Sequence, residues 1–150
     1  MKRSTCLAQL SREHHAALVL AKRAQRIDTD DVEAAREFMT GAVASFEREL
    51  EPHFRVEEQA LLPRLADAGE LDSVGRTLAE HEELRGLAKR LAQHDAGSLR
   101  RFGAALEAHV RFEERELFAL AESKLAPEAL AAVGGIARSH TPLPNEATEL

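Results

Sequence analysis

"HFRVEEQALLPRL", residues 53–65, and "HVRFEERELFALA", residues 109–121, decide the fold of this chain. Each writes histidine, three residues and a glutamate pair, with arginine in the third place. The same offset of 56 maps Val43 onto Leu99, Phe46 onto Phe102, Leu50 onto Leu106 and Leu61 onto Leu117. Apolar residues three and four apart mark helices, and residues four apart share one helix face. Phe46, Leu50, His53, Glu57 and Leu61 therefore form one stripe. Phe102, Leu106, His109, Glu113 and Leu117 form its counterpart. These stripes must face a core, so two imidazoles and two carboxylates are aimed into an apolar interior.

A second offset, 67, aligns Glu13-His14…Ala21-Lys22-Arg23 with Glu80-His81…Ala88-Lys89-Arg90. The chain reads as two copies of one helical hairpin. The first helix is expected from a cap at Ser11 to about Arg26, and the second from "IDTDDVE" to about Ala66. A third should run from about Ser73 to Gln93, and a fourth from about Leu99 to Lys124. Pro127 can open a short fifth helix, ended by Gly134-Gly135 or carried to about Arg138. Long amphipathic helices with short connections predict an all-α fold. The expected architecture is an up-down-up-down antiparallel four-helix bundle with a short C-terminal fifth helix. One domain would span residues 1–150, with its core at about 10–125 and a flexible tail at 141–150.

Composition narrows the function classes. The chain is 44% hydrophobic and 31% charged, as expected of a soluble helical protein, and its net charge of −6 argues against nucleic-acid and anionic-membrane surfaces. No window approaches a membrane span, and the start, "MKRSTCLAQLSREHH", lacks the apolar run of a signal peptide. With a single cysteine, Cys6, no intramolecular disulfide can form, which fits a reducing, cytoplasmic setting. Tyrosine and tryptophan are absent, so no tyrosine ligand or tyrosyl radical is available.

Chance alone would supply about one His-x-x-x-Glu from seven histidines and 20 glutamates, so the helix face carries the weight. A buried carboxylate costs several kcal/mol unless paired or metal-bound, and no Lys or Arg stands on the two stripes. His81 shares a face with Val74, Leu78, Leu84 and Ala88. His14 turns away from the wet side defined by Arg12, Lys22, Arg23 and Arg26, while His15, the alternative for that slot, turns toward it. The expected metal donors are therefore His14, His53, Glu57, His81, His109 and Glu113. Imidazole and carboxylate without thiolate suit Fe, Mn or Zn. Six donors exceed one structural zinc, but suit two ions that take two His each, with Glu57 and Glu113 bridging.

"REHHAAL", "HFRVEEQALLP", "AEHEEL" and "HVRFEERELF" together resemble the hemerythrin-like (HHE cation-binding) family over about residues 10–125. The resemblance implies two Fe ions in an oxo- or hydroxo-bridged centre, with O2, NO or peroxide as the small-molecule partner. Binding, sensing or detoxifying such an oxidant is the function it suggests. A di-iron enzyme that decomposes peroxide or reduces NO, or an iron supply or repair protein, is the alternative. A metal-free helical interaction module is the alternative from another class. The ferritin-like pattern is disfavoured, because no histidine here has glutamate three residues before it. Two positions depart from the oxygen carriers of the family. Arg85 stands where they place a further histidine, and Glu114 holds the place of their last carboxylate, although stripe and repeat both select Glu113.

Other residues receive plainer readings. Glu58 and Glu114 are expected to be exposed or to orient imidazoles. His94 belongs to a turn, His140 and Cys6 are surface or terminal residues, and Arg55 and Arg111 face solvent. Pro52 removes one backbone bond and should bend the second helix just before His53. Gly86 and Gly103 are either tolerated or serve close packing.

Overall fold

The computed structural model describes residues 3–139, and the expected tail at 141–150 and His140 lie outside them. Among the described residues the chain is helical throughout, without strands. Helix α1 is Ala8–Arg26 and α2 covers residues 32–67. Helix α3 is Leu71–Ala92, and a single tight turn, Ala96–Ser98, leads into α4 at residues 99–124. Helix α5 is Pro127–Ser139. The interval from Ile27 is closed by Asp31, whose side chain accepts the Ala34 N–H as an N-cap.

Two boundaries differ from expectation, and a third resolves one. Helix α1 begins one turn before Ser11, whose N–H already bonds to the Leu7 carbonyl. The Ser11 hydroxyl donates instead to the Glu114 carboxylate, a charged acceptor stronger than a helix end. Helix α3 begins at Leu71 rather than Ser73. Helix α5 follows the longer of its two expected courses, through Gly134-Gly135 to Ser139, the last described residue; Gly134 serves proximity, since a Cβ there would stand 2.8 Å from the Cys6 carbonyl oxygen.

Helix α1 packs along α4, α4 on α3, and α3 on α2, while α5 lies against both α1 and α2. Gly103 sets the α1–α4 approach, since a Cβ would meet the Ala21 carbonyl oxygen at 2.5 Å. Gly86 plays no such part, for nothing lies within 4 Å of its missing Cβ. Two apolar clusters result. One includes Ala17, Met39, Phe46, Phe54, Leu84 and Phe102; the other includes Leu10, Leu61, Leu65, Phe118, Leu130 and Val133. In α1, α2 and α4 the chain passes from one cluster to the other at His14, at 53–57 and at 109–113. A polar layer thus lies between two dry ones.

Leu78 does not join His81 on the inner face of α3. It is 42% exposed, while Thr77 is fully buried. Thr77 stands one full turn before His81 and hides its hydroxyl by donating to the Ser73 carbonyl at 2.8 Å, which leaves Leu78 pointing out.

Both α2 and α4 are wide-turned in places. The Leu62 N–H bonds to the Glu57 carbonyl and the Phe118 N–H to the Glu113 carbonyl, each five residues back. Such single wide turns inside α-helices are frequent at functional sites. A third, Phe46–Leu50, directly precedes Pro52, which offers no N–H to the regular ladder. Residues 102–106 of α4, where the repeat has Ala108 in place of Pro52, remain regular. The turns at Glu57 and Glu113 recur in both halves although Ala119 stands where α2 has Pro63. What they share is the inward glutamate.

Candidate metal centre

The polar layer gathers all six expected donors. His14, His53, Glu57, His81, His109 and Glu113 are each at most 4% exposed, and both glutamates are at 0%. They fall into two overlapping groups. His14, His53, Glu57 and Glu113 present donor atoms that all lie within 4.8 Å of one another, as do Glu57, His81, His109 and Glu113. Both glutamates belong to both groups. His15 is exposed and outside the layer, and Glu114 lies behind it.

Each imidazole is gripped from behind through Nδ1. His14 pairs with Glu114 at 2.8 Å and His81 with Glu58 at 2.7 Å. His53 pairs with Glu13 at 2.8 Å and His109 with Glu80 at 2.7 Å. An ionised carboxylate can only accept, so Nδ1 carries the proton and Nε2 faces the interior. Glu58 and Glu114 were expected in this orienting role. Glu13 and Glu80 were missed, although the offset-67 repeat preserves a glutamate directly before His14 and His81 and so contained the signal. Rings fix two imidazoles further: Phe54 stacks on His81 with centroids 4.0 Å apart, and Phe118 on His14 at 5.2 Å.

The inner faces are only partly satisfied. His14 Nε2 bonds to Glu113 at 2.8 Å and His81 Nε2 to Glu57 at 3.0 Å. His53 Nε2 and His109 Nε2 approach their own i+4 glutamates at 3.3 and 3.2 Å but without hydrogen-bond alignment. Four buried atoms consequently lack any hydrogen-bond partner: His53 Nε2, Glu57 Oε2, His109 Nε2 and Glu113 Oε2. Natively buried polar atoms are rarely left so. These four, with the paired inner atoms of His14 and His81, are the donor set that a metal would use, and the residues present fit one.

Electrostatics follows from this crowding. Burial lowers the His109 pKa, but the Glu113 charge and bonds to Glu113 and Glu80 outweigh it and raise it to about 10. For His81, burial is outweighed by Glu113 and Glu57, and the pKa stands at about 9. His14 and His53 are raised against the same burial penalty, His14 by Glu113 and Glu114, His53 chiefly by the Glu57 charge. Burial would raise Glu113, yet His109 and the other imidazoles hold it well below the usual carboxylate range. Protons on the imidazoles thus balance the carboxylates where cations would otherwise do so.

Of the remaining residues, His94 has a positive φ of 59° in its turn, and Arg55 is exposed. Arg111 is half-buried and donates to Glu107. Arg85 leans over the layer from α3, donating to Glu51, Glu58 and Glu82.

The family model for the hemerythrin HHE cation binding domain matches residues 5–121. No curated protein and no solved structure matches the chain. On that match, which spans all six inner residues and the four carboxylates behind them, the chain belongs to the hemerythrin HHE cation-binding domain family.

Proposed function

We propose that this chain holds two metal ions in an up-down-up-down antiparallel four-helix bundle and uses them to bind, sense or detoxify a small oxidant. His14 and His53 would hold one ion, His81 and His109 the other, with Glu57 and Glu113 bridging. The observation that carries this reading is the set of four buried, partnerless inner atoms, two imidazole nitrogens and two carboxylate oxygens. Iron is the metal we infer from the family and from a thiolate-free His/Glu donor set. Zn or Mn would suit the same donors. When bound, iron supplies electrons and positions open to O2, NO or peroxide.

The chain supplies the rest. Four Nδ1–carboxylate bonds keep each imidazole in one tautomer, with Nε2 free for a metal. Phe54 and Phe118 cover two of the rings. The apolar clusters on either side shield the centre from bulk water. No helix among the described residues is long and apolar enough to cross a membrane, and a cytoplasmic setting is part of this proposal.

The test is metal analysis of protein purified from iron-replete cells, with optical spectra before and after reduction and exposure to O2 or NO. Two iron ions per chain and spectra that respond to the gas are expected. Metal-free protein that cannot be reconstituted would overturn the proposal and favour a helical interaction module.

A further inference from the structure

The internal repeat relates the two ligand sets, but the groups behind them differ. Behind His81, Glu58 is clamped by Arg85, which donates to its two oxygens at 2.9 and 3.1 Å. Behind His109, Glu80 accepts the Arg76 Nε–H at 2.9 Å. In the other half the groups that hydrogen-bond to the carboxylate oxygens are neutral. Glu13, behind His53, accepts the Gln9 amide at 3.1 Å. Glu114, behind His14, accepts the Ser11 hydroxyl at 2.8 Å. Arg3 comes within 4.0 Å of Glu114 Oε1, but donates to Glu122 and to the Glu114 backbone carbonyl. The offset of 67 places Gln9 opposite Arg76 and Leu18 opposite Arg85, so the difference is written into two repeat positions.

A carboxylate already paired with guanidinium is a weaker acceptor for the imidazole N–H it holds. The ring is then less polarised, and its Nε2 is a poorer donor to a metal. The guanidinium's own charge also repels a cation bound nearby. Both effects act in the same direction. Arg85 should dominate, because its side chain is 21% exposed against 49% for Arg76, and solvent screens it less.

We infer that the two metal positions are inequivalent: the His14/His53 position binds a divalent ion more tightly, and the His81/His109 position is the labile one. Arg85 and Arg76 are positioning residues that act through Glu58 and Glu80 to set the difference. This rests on the two-ion reading above.

Anaerobic titration of the metal-free chain with Co(II), followed by visible absorption and chelator competition, tests it. Two one-ion steps are expected, separated by about tenfold or more in affinity, the scale typical of groups that orient metal ligands. Gln9→Arg, which copies the other half, should weaken the tight step and leave the weak one. Arg85→Leu, which copies residue 18, should strengthen the weak step, while Arg85→Lys, which keeps the charge, should leave it weak. A purely structural Arg85 would give the opposite sign, with Arg85→Leu weakening that step, and this would overturn the inference. So would two ions entering in one unresolved step that neither Gln9→Arg nor Arg85→Leu splits or shifts. Uptake of fewer than two ions would overturn the two-ion reading and this inference with it.

Discussion

Metal affinity should climb steeply with pH, and the structure says how steeply. In the metal-free chain His81 has a pKa of about 9 and His109 of about 10, so both carry two ring protons at neutral pH. A metal can take Nε2 only after the proton there has left. At roughly 1.36 kcal/mol per pH unit, that removal at pH 7 costs on the order of 3 kcal/mol for His81 and 4 kcal/mol for His109. The logarithm of the apparent affinity at this position should therefore rise by about two for each pH unit up to pH 9. Above that it should rise more slowly, as His81 is then already neutral. Competition titrations of metal-free protein with Zn(II), against a chelator of known pH dependence between pH 6.5 and 9, would measure the slope. A slope near zero over that range would refute the reasoning, since it would mean that the imidazoles are neutral before the metal arrives.

The same raised values set the stability of the metal-free fold. Raised imidazoles contribute stability that is complete below about pH 6.5 and is lost as pH rises through about 9 and 10. Lowered Glu113 contributes stability above about pH 4.5 that is lost as pH falls. Thermal melts of metal-free protein should accordingly peak between those limits and decline toward pH 10, whereas a flat profile would contradict the pKa directions. Loaded protein should melt well above metal-free protein at the same pH, because metal bound only to the folded state adds directly to folding stability; coincident melts would count against a core site. Glu57→Gln and Glu113→Gln should each lower the occupancy of both ions to a similar degree, while Glu58→Gln and Glu114→Gln should weaken one position by about 10–100-fold. Metal loss from Glu114→Gln but not Glu113→Gln would reverse the assignment of α4. Gly103→Ala should cost about 1–3 kcal/mol in urea unfolding, from its 2.5 Å approach to the Ala21 carbonyl oxygen, and Gly86→Ala should be neutral or stabilising by up to about 1 kcal/mol.

Much of this architecture was legible because helices write their inner faces at a fixed spacing. The stripes through Phe46 to Leu61 and Phe102 to Leu117 carried Glu57 and Glu113 inward, and the repeat paired them. His14 was separable from His15 because four basic residues marked the opposite face of α1. The orienting roles of Glu58 and Glu114 were also readable, as each follows an inward glutamate. Glu13 and Glu80 were missed although the offset-67 repeat marked them: each directly precedes an inward histidine but serves the imidazole of a neighbouring helix, His53 or His109, rather than its own neighbour's. The wide turns at Glu57 and Glu113 were invisible, since a helix with one widened turn keeps the same residue types. Local competition hid the remainder. Ser11 looks like a cap until Glu114 is brought beside it by α4, and Thr77 looks polar until its hydroxyl is satisfied one turn earlier by Ser73. Leu78 and Gly86 show the converse, residue types that suggest burial or close packing at positions where the neighbouring helix is not near.

Anomalous diffraction at the iron edge, from crystals of the loaded chain, tests the central claim most directly. The account predicts two peaks. One should touch His14 Nε2 and His53 Nε2, the other His81 Nε2 and His109 Nε2, and both should touch oxygens of Glu57 and Glu113. A single peak, a peak coordinated by His15 or Glu114, or density in which Glu57 and Glu113 serve separate ions would contradict it.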